Sequence, residues 1–226
     1  VQVTGAQTTA ERAVIERGGI AGRVLVTGAT GFLGHHLVPA LVRCGAQVTA
    51  LVRDVGGVAP DLARQVTLAC GDVRDRAALE AAMRGVDIVF HCAAVTTNKA
   101  LWSEHQAVNV QGTENVLHAA RQAGVRRVIY TSSVVVYGLD GSPTNAPLPE
   151  STPYAAHADR WAYYLRSKLE ADRLALEYGR AHGLEVTVLR LGILFGPGAG
   201  RAPGRGFVEL GPLRLLIGRG GNALPY

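Results

Sequence analysis

The segment TGATGFLG (27–34) places Gly28, Gly31 and Gly34 between a run with strand character, RVLVT, and a run with helical character. Glycine permits a tight turn and lets the backbone approach a phosphate closely, and a helix N-terminus attracts the phosphate charge. The next strand-like run, QVTALV, completes the strand, loop, helix and strand unit that binds dinucleotides in many α/β proteins. The sequence therefore predicts a dinucleotide cofactor on this loop.

The rest of the chain alternates between short β-rich runs and helix-like segments. The strand-like runs are RVLVT, QVTALV, QVTLAC, VDIVFHC, RVIYTSS and EVTVLRLG, and the helix-like segments are 32–44, 75–84, 103–123 and 158–182. Near-continuous apolar strands that alternate with helices predict a parallel sheet covered on both faces, which is a doubly wound α/β fold. Its expected parts are a polar N-terminal extension (1–22), a nucleotide-binding domain (23–196) and the start of a substrate-binding region (197–226).

Three features are expected to interrupt this pattern. Pro39 lies inside the first helix-like segment and should kink that helix or remove one of its hydrogen bonds. The stretches 139–153 and 196–206 are rich in glycine and proline. We expect both stretches to form loops large enough to contribute to a site.

Composition argues against several classes of protein. The net charge is +5, but the basic residues are scattered without a basic run or interleaved aromatics, so nucleic-acid binding is not expected. No apolar run approaches the ~20 residues that a membrane span needs. Cys44, Cys70 and Cys92 form no CxxC pair and no HExxH pattern occurs, so neither a disulfide framework nor a metal site is expected. We expect a cytoplasmic protein that acts on a small molecule.

The end of the second strand distinguishes two nicotinamide dinucleotides, because an acidic side chain there binds the ribose hydroxyl of NAD and a basic one accepts the 2′-phosphate of NADP. The sequence reads ALVRD, with Val52 in the expected acidic position and Arg53 after it. A guanidinium group can bind phosphate through two parallel hydrogen bonds, which favours NADP over NAD. In the alternative interpretation Arg53 is solvated and Asp54 binds the ribose.

Asp72 and Val73 lie at the end of the third strand-like run, in CGDVRD. They are candidate cofactor contacts, because a carboxylate at this place can accept a hydrogen bond from the adenine amino group. The alternative is that Asp72 caps the N-terminus of the following helix.

Tyr164 and Lys168 are four residues apart on the longest predicted helix and therefore share one face. A hydride-transfer enzyme needs an acid to protonate the forming alkoxide, but free tyrosine has a pKa of about 10. An ammonium group about 4 Å away is expected to lower that pKa by about three units, to near 7, against the opposing effect of desolvation. The same spacing also occurs on solvated helix faces, which is the alternative.

Ser133 ends the fifth strand-like run, RVIYTSS. Its hydroxyl is a candidate hydrogen-bond donor to a substrate carbonyl, which would hold that carbonyl for Tyr164. Thr131 and Ser132 compete for the same role, and all three also fit ordinary hydroxyls at the end of a strand.

The motifs and their order resemble the extended short-chain dehydrogenase/reductase family, of the NAD-dependent epimerase/dehydratase type, including the GxxGxxG spacing of the loop. They are TGATGFLG, GDVRD, HCAA (91–94), NVQGTENV (109–116), YTSSVVVYG (130–138), YLRSK (164–168) and LRLGILFGPG (189–198). The resemblance implies a Rossmann-like fold with Tyr164 as general acid/base, Ser133 polarising the carbonyl and Lys168 on the nicotinamide ribose.

The resemblance implies further site residues. Asn109 is expected to be structural or to join a proton relay, as a member of the catalytic set. Ala93 and Ala94 are expected to line the cofactor, and the backbone from Leu191 to Ile193 is expected to meet the nicotinamide amide. The expected contacts on the glycine loop are Gly28, Thr30, Gly31, Phe32, Leu33 and Gly34.

Departures from the family's patterns bear on the reaction. Related dehydratases carry an Asp-Glu pair where this chain has Val134 and Val135, and related nucleotide-sugar epimerases usually carry Asn where it has Ile193. The resemblance therefore favours a hydroxysteroid dehydrogenase or ketone reductase, which interconverts a secondary alcohol and a ketone with NADP or NAD. The alternatives are a nucleotide-sugar epimerase that retains its cofactor and a cofactor-binding module without turnover, which the intact Tyr, Ser and Lys disfavour.

Relatives are expected to continue beyond GRGGNALPY into more of a substrate-binding region, so the resemblance implies that most of that region is missing here. It also implies a homodimer through the helices near 103–123 and 158–182.

Overall fold

A computed structural model describes residue 20, residues 22–97, 99–138, 149–157 and 162–198, and the backbone of two strands, Phe207–Leu210 and Leu213–Leu216. Most of the predicted N-terminal extension lies outside the described residues, as do residues 139–148 and 199–206 of the two predicted loops. Residues 158–161 of the predicted long helix also lie outside them.

Six parallel strands form the central sheet, in the spatial order β3-β2-β1-β4-β5-β6. They are β1 (Gly22–Thr27), β2 (Ala46–Val52), β3 (Thr67–Cys70), β4 (Ile88–His91), β5 (Arg127–Ser133) and β6 (Glu185–Leu191). Two further strands, β7 (Phe207–Leu210) and β8 (Leu213–Leu216), form an antiparallel pair. The prediction of a doubly wound parallel sheet is confirmed.

Six α-helices connect the strands of this sheet in the described chain. They are α1 (Phe32–Arg43), α2 (Pro60–Ala63), α3 (Arg76–Ala82), α4 (Trp102–His105), α5 (Gly112–Gln122) and α6 (Tyr163–His182). A π-helical turn (Gln106–Gln111) joins α4 to α5, and a 3₁₀ turn (Val134–Tyr137) follows β5. No helix among the described residues is long and apolar enough to cross a membrane.

The central strand β1 is buried on both faces. Val24 and Val26 belong to one cluster of buried apolar side chains, with residues of α1 and β2, and Leu25 belongs to a second cluster with residues of α3, α5 and α6. Alternate side chains of a strand point to opposite faces, so a continuous apolar run supplies both cores. Each such buried side chain contributes roughly 1.5–3 kcal/mol.

The helices differ from the sequence prediction in two places. The single helix predicted over 103–123 is divided by the π-helical turn. A π-helical turn depends on contacts with other segments and is not visible in local periodicity. The short helix α2, with Pro60 in its first turn, was not predicted. Helix α1 continues through Pro39 to Arg43, and the proline removes one backbone donor, which is one of the two outcomes predicted for it.

The crevice that positions the site lies where the strand order reverses, between the carboxyl ends of β1 and β4. Gly28 follows β1 with φ +70°, and a Cβ on it would lie 2.7 Å from the backbone nitrogen of Ala93. A Cβ on Gly34 would lie 2.3 Å from the carbonyl oxygen of Gly28. These two glycines therefore let the loop, the first turn of α1 and the segment after β4 pack in direct backbone contact.

Gly28→Ala is expected to lower the free energy of unfolding by about 2–5 kcal/mol, because overlap with backbone atoms adds to the strain of a positive φ. Gly183→Ala is the matched control. Gly183 has φ +66°, and beyond its own neighbours no heavy atom of the described chain lies within 4 Å of its Cβ position, so only about 1–2 kcal/mol of strain is expected. Urea unfolding measures both variants, and equal losses of stability would contradict the packing argument.

Candidate active site

The N-terminus of α1 lies at the glycine loop with Gly31 as its N-cap residue. Gly31 has no side chain to cap the helix, and the first turn carries no acidic residue. The N–H groups of the first turn therefore suit an external anion. A Cβ on Gly31 would meet only the Gly28 carbonyl oxygen, at 3.3 Å, so packing within the described chain is not the main reason for glycine here. This geometry fits a pyrophosphate that approaches the backbone closely.

The other predicted contacts of the glycine loop lie just before α1 and in its first turn. Thr30 and Gly31 are exposed, Phe32 and Leu33 are half-buried, and Gly34 is buried. The exposed residues therefore come first in the chain, and the residues that pack against the sheet follow them.

Arg53 and Asp72 follow the neighbouring strands β2 and β3. Arg53 is exposed. The Arg74 hydrogen bond, with a smaller contribution from the charge of Arg53, holds the pKa of Asp72 below its usual value. Asp54 accepts a hydrogen bond from the Gly56 backbone N–H (2.9 Å) in its own turn. The structure thus brings Arg53 close enough to Asp72 for an electrostatic effect at the predicted adenosine end.

Asp72 does not cap the following helix, so that alternative is wrong. Arg74 donates to its carboxylate from Nε (2.9 Å), Nη2 (2.7 Å) and the backbone nitrogen (2.9 Å). The residue that caps α3 is Asp75, which accepts from the Ala78 backbone N–H at 3.1 Å. Val73 is buried and packs in the core, whereas the Asp72 side chain is 23% exposed and accessible to a ligand.

A chain of hydrogen bonds joins the end of β1 to the π-helical turn through His91, which is fully buried. Thr27 Oγ1 lies 2.7 Å from His91 Nδ1, and His91 Nε2 lies 3.0 Å from Thr113 Oγ1. The Thr113 hydroxyl donates to the Asn109 carbonyl at 2.6 Å, so His91 Nε2 must be the donor to Thr113 and Nδ1 the acceptor from Thr27. Burial lowers the pKa of His91 to about 3, which corresponds to this neutral ring.

The side-chain amide of Asn109, 1% exposed, holds the segment after β4. Its Oδ1 accepts from the Val95 N–H (2.7 Å), and its Nδ2 donates to the Val95 carbonyl (2.9 Å). Nδ2 also donates to Ser167 Oγ on α6 at 2.9 Å. Ala93 and Ala94, which precede Val95, are half-buried beside the glycine loop. Asn109 therefore joins the predicted cofactor segment to α6.

Of the three predicted hydroxyls, Ser133 is the one that the structure brings to Tyr164. The Thr131 hydroxyl donates to the His91 carbonyl at 3.0 Å. Ser132 is buried, and its Oγ has no partner within the part of the chain that the structure describes. Ser133 Oγ accepts from the Val135 N–H at 3.4 Å and lies close enough to the Tyr164 phenol to lower its pKa, which favours the ionised form.

The predicted lowering of the Tyr164 pKa is wrong for this structure. Burial raises the pKa of Tyr164, and the nearby Ser133 hydroxyl offsets that effect only in part. Lys168 Nζ donates to the Thr131 carbonyl at 2.8 Å and lies 5.1 Å from the centroid of the Tyr130 ring. The prediction assumed an ammonium about 4 Å from the phenol, but a shared helix face does not determine where two long side chains end.

Lys168 is a buried cation, only 4% exposed. Burial lowers its pKa to about 8, against the opposing effects of Cys92 and Asp172. An ammonium group with a pKa near 8 remains mostly protonated at neutral pH. The site therefore contains a positive charge in a region of low dielectric constant, where its effect on a nearby anion is large.

Apolar side chains are exposed where β6 ends. Leu191, the last residue of β6, is half-buried, whereas Ile193 is 59% and Phe195 76% exposed. His36 Nε2 on α1 lies 2.9 Å from the Pro197 carbonyl, so this segment runs next to α1. Exposed apolar side chains that lie together at the end of a strand are typical of a ligand or interaction site.

A buried ion pair between Asp172 on α6 and Arg190 on β6 was not predicted from the sequence. Asp172 is fully buried, and Arg190 donates to its carboxylate from Nε (3.0 Å) and Nη2 (2.9 Å). A signal was present in the sequence, since Tyr164, Lys168 and Asp172 recur every four residues and therefore share one helix face.

Comparison with known proteins assigns the chain to a family. The profile of the NAD dependent epimerase/dehydratase family matches residues 24–211. The chain belongs to this family. The resemblance based on the motifs is thereby confirmed.

Curated relatives within this family include dehydrogenases and reductases. The chain is 35% identical over 211 residues to a 3 beta-hydroxysteroid dehydrogenase/Delta 5-->4-isomerase of Mycobacterium tuberculosis, a match that covers 88% of this chain and 54% of the relative. It is 34% identical over 206 residues to a 2-alkyl-3-oxoalkanoate reductase of Shewanella oneidensis, covering 84% of this chain and 50% of the relative. The chain thus spans about half the length of the curated relatives it matches.

Solved structures with this fold include enzymes that act on nucleotide sugars. A UDP-glucose 4-epimerase of Thermus thermophilus in complex with NAD has a TM-score of 0.64 and 30% identity, covering 74% of this chain and 54% of that one. The dTDP-glucose 4,6-dehydratase DesIV of Streptomyces venezuelae, solved as a double mutant with NAD and DAU bound, has a TM-score of 0.65 and 33% identity, covering 74% of this chain and 55% of that one.

Lowering the pH from about 6.5 towards 4 is expected to destabilise the protein through His91. The pKa of His91 is about 3 in the folded chain and about 6.5 in an unfolded chain. Between these values the unfolded state binds a proton that the folded state excludes. The free energy of unfolding should therefore fall by up to about 1.4 kcal/mol per pH unit because of this residue.

Urea unfolding of His91→Gln across the same pH range measures this contribution, because glutamine cannot titrate. The stability of His91→Gln should fall less steeply with pH than that of the unaltered protein. His35→Gln, which changes an exposed histidine, should keep the original slope. An unchanged slope in His91→Gln would refute the assignment.

Proposed function

We propose that the protein is an oxidoreductase that interconverts a secondary alcohol and a ketone with a nicotinamide cofactor. The observation that carries this proposal is the proximity of the Ser133 hydroxyl to the Tyr164 phenol, close enough to affect the phenol's pKa, with the buried Lys168 on the same helix face as the tyrosine. Two hydroxyl groups at one place can both donate to a single carbonyl oxygen. A bound nicotinamide would supply the hydride acceptor or donor.

The roles of the three side chains follow from their environment. Tyr164 is the proposed general acid/base, because a phenol with a raised pKa stays protonated near neutral pH and can protonate a forming alkoxide. Ser133 is proposed to hold and polarise the carbonyl oxygen. Lys168 supplies a positive charge that favours the tyrosinate left after proton transfer. Asn109 is proposed as a structural residue, since its amide is bonded within the protein.

The proposed cofactor would span the crevice between β1 and β4. The glycine loop would hold the pyrophosphate at the N-terminus of α1, where the first-turn N–H groups suit an anion. Asp72 and Val73 would contact the adenine, and Ala93 and Ala94 would flank the dinucleotide. The nicotinamide would lie towards Ser133 and the end of β6, from Leu191 to Ile193. We propose that residues 23–196 form the cofactor domain and that residues 197–226 belong to a substrate-binding region.

We further propose that the cofactor is NADP in preference to NAD. An exposed guanidinium follows β2 at Arg53, where a 2′-phosphate would meet it, and its charge acts on Asp72. Similar solved structures contain NAD, so such a preference would come from this local feature.

Arg53→Ala is expected to weaken NADPH binding about 10- to 100-fold, because it removes a charge-assisted hydrogen bond to the phosphate. NADH binding should change by less than about twofold, since NADH lacks that phosphate. Fluorescence titration of each reduced cofactor measures both values. Arg64→Ala, which removes another exposed arginine at an ion pair with Asp61, is the control. Equal loss of both cofactors in Arg53→Ala would contradict the assignment.

A carbonyl compound of low polarity is the proposed substrate. Support comes from the exposed apolar residues Ile193, Leu194 and Phe195 after β6 and from relatives named as hydroxysteroid dehydrogenase and oxoalkanoate reductase.

The second candidate function is a nucleotide-sugar epimerase, which the similarity to solved UDP-glucose 4-epimerases favours. Native mass spectrometry separates the two candidates. NAD that remains bound through purification would support the epimerase, whereas an empty protein that binds added NADPH would support the reductase.

Tyr164→Phe is expected to reduce ketone reduction by NADPH about 10²- to 10⁴-fold, because it removes the proposed proton donor. Its affinity for NADPH should stay within about twofold of the unaltered value, since phenylalanine preserves the ring. Tyr163→Phe is the matched control, because Tyr163 is the preceding residue and is 45% exposed. Consumption of NADPH with a panel of apolar ketones measures turnover, and full activity of Tyr164→Phe would refute the mechanism.

We also propose a homodimer that forms through the helical segments near 103–123 and 158–182. An apolar groove on these segments is lined by Val110, Leu174, Tyr178 and Ala181, together with Glu170, Arg173 and Glu177. Side chains of both charges within one groove are self-complementary under two-fold symmetry. A monomer in light scattering would refute the dimer.

The free thiols Cys44, Cys70 and Cys92 support a reducing, cytoplasmic location.

A further inference from the structure

Arg190, next to the end of β6, forms hydrogen bonds with three separate segments of the chain. Its Nε and Nη2 donate to the two carboxylate oxygens of Asp172 on α6, at 3.0 and 2.9 Å. Its Nη1 donates to the Tyr137 hydroxyl in the 3₁₀ turn at 2.8 Å, and Nη2 also donates to the Tyr154 hydroxyl at 2.9 Å. We refer to Arg190, Asp172, Tyr137 and Tyr154 as the Arg190 cluster.

The polar groups of the Arg190 cluster are well satisfied and largely buried. The Asp172 side chain is 0% and the Arg190 side chain 19% exposed. The Tyr154 hydroxyl donates to Asp172 Oδ1 at 2.6 Å, and the guanidinium carbon lies 5.1 and 5.3 Å from the ring centroids of Tyr137 and Tyr154. Burying an ion pair removes both charges from water, so stability alone is a weak reason for its presence.

The Arg190 cluster lies next to the segments that carry the proposed catalytic hydroxyls, and this position gives a second reason for the buried ion pair. The 3₁₀ turn that ends at Tyr137 begins directly after Ser133. Asp172 lies on α6 two helical repeats after Tyr164, on the same face of the helix. Arg190 itself precedes Leu191, which pairs with Ser133 in the register of β5 and β6. One guanidinium group therefore connects the segment of Ser133 to the helix of Tyr164.

A second connection runs through the segment that precedes α6. Tyr154 is bound by both members of the ion pair. The neighbouring Ala155 N–H donates to the Val136 carbonyl in the 3₁₀ turn at 2.8 Å. Val136, Ala155 and Leu169 of α6 form a small apolar cluster at the same place. The polar and apolar contacts thus hold the same three segments together.

We propose that Arg190 is a positioning residue that fixes the distance between the Ser133 and Tyr164 hydroxyls by binding Asp172 on α6 and Tyr137 behind Ser133. This inference rests on the proposed function. Displacement of catalytic groups by about 1 Å can reduce a rate about 100-fold. The pyrophosphate and adenosine contacts proposed above, at the glycine loop, Arg53 and Asp72, do not involve the Arg190 cluster. Arg190 should therefore act on turnover more than on affinity for the cofactor.

The first test compares Arg190→Met with Arg127→Met in the purified protein. Arg127 also forms an ion pair, with Glu185, but the pair is exposed and joins β5 to β6 at the opposite end of these strands from Ser133. Arg190→Met should lower kcat for ketone reduction about 100-fold and leave the Kd of NADPH within about twofold. Arg127→Met should leave both values within about twofold. Equal effects of the two variants on kcat would overturn the proposal.

A second variant addresses folding, because Arg190→Met alone leaves a buried carboxylate without its partner. Arg190→Met/Asp172→Leu removes both charges and should restore the melting temperature. Its kcat should nevertheless stay low, because the hydrogen bonds from the guanidinium group to Tyr137 and Asp172 are then lost and only the apolar contacts of Val136, Ala155 and Leu169 remain. Recovery of kcat together with the melting temperature would overturn the proposal, since the cluster would then contribute stability alone.

Hydrogen exchange tests the positioning role without turnover. In the double variant, amides of residues 134–137 and 150–155 should exchange at least about tenfold faster, whereas those of residues 28–34 should be unchanged. Unchanged exchange at residues 134–137 would overturn the proposal. Absence of ketone reduction in the unaltered protein would instead refute the proposed function, and the exchange result would still decide whether Arg190 holds these segments.

Discussion

The arrangement of the site depends on the hydrogen bonds of one buried amide, that of Asn109. It binds both backbone groups of Val95 after β4 and the hydroxyl of Ser167 on α6. Ser167 in turn donates to the backbone carbonyl of Tyr164 at 2.8 Å. The predicted cofactor segment and the helix with the proposed acid are therefore held at one separation. Asn109 lies within the π-helical turn, a geometry that often occurs at functional sites.

Three buried ionisable groups, His91, Asp172 and Lys168, lie near the hydrogen bonds of Asn109. The protein accommodates the loss of water around each of them in a different way. His91 is neutral, because burial lowers its pKa to about 3 and two threonine hydroxyls satisfy both ring nitrogens. Asp172 stays paired with Arg190 through two hydrogen bonds. Lys168 has a pKa of about 8 and donates to a carbonyl group, so within the described part of the chain it is a buried cation outside any ion pair. Such a charge favours a nearby tyrosinate or other anion.

Much of the fold was predictable from the sequence, whereas the site was predictable only in part. The six strands follow from continuous apolar runs such as that of β1, which supplies both cores. The approach of Ser133 to Tyr164 agrees with the motif order. The π-helical turn, the cap at Asp75 and the Arg190 cluster were missed, because each depends on groups from other segments or on a choice between nearby carboxylates. The pKa of Tyr164 was predicted in the wrong direction, because burial and the position of Lys168 Nζ are properties of packing.

The sequence by itself determined the succession of strands and helices and the positions that must be glycine, since hydrophobic period and backbone freedom are local properties of the chain. It also limited the candidate hydroxyls to three consecutive residues, 131–133. Only the tertiary structure decided among those three, assigned the neutral tautomer of His91 and brought Arg190 to Asp172 and Tyr137. These outcomes depend on distances between segments far apart in the chain, and the crossovers of a parallel sheet set those distances.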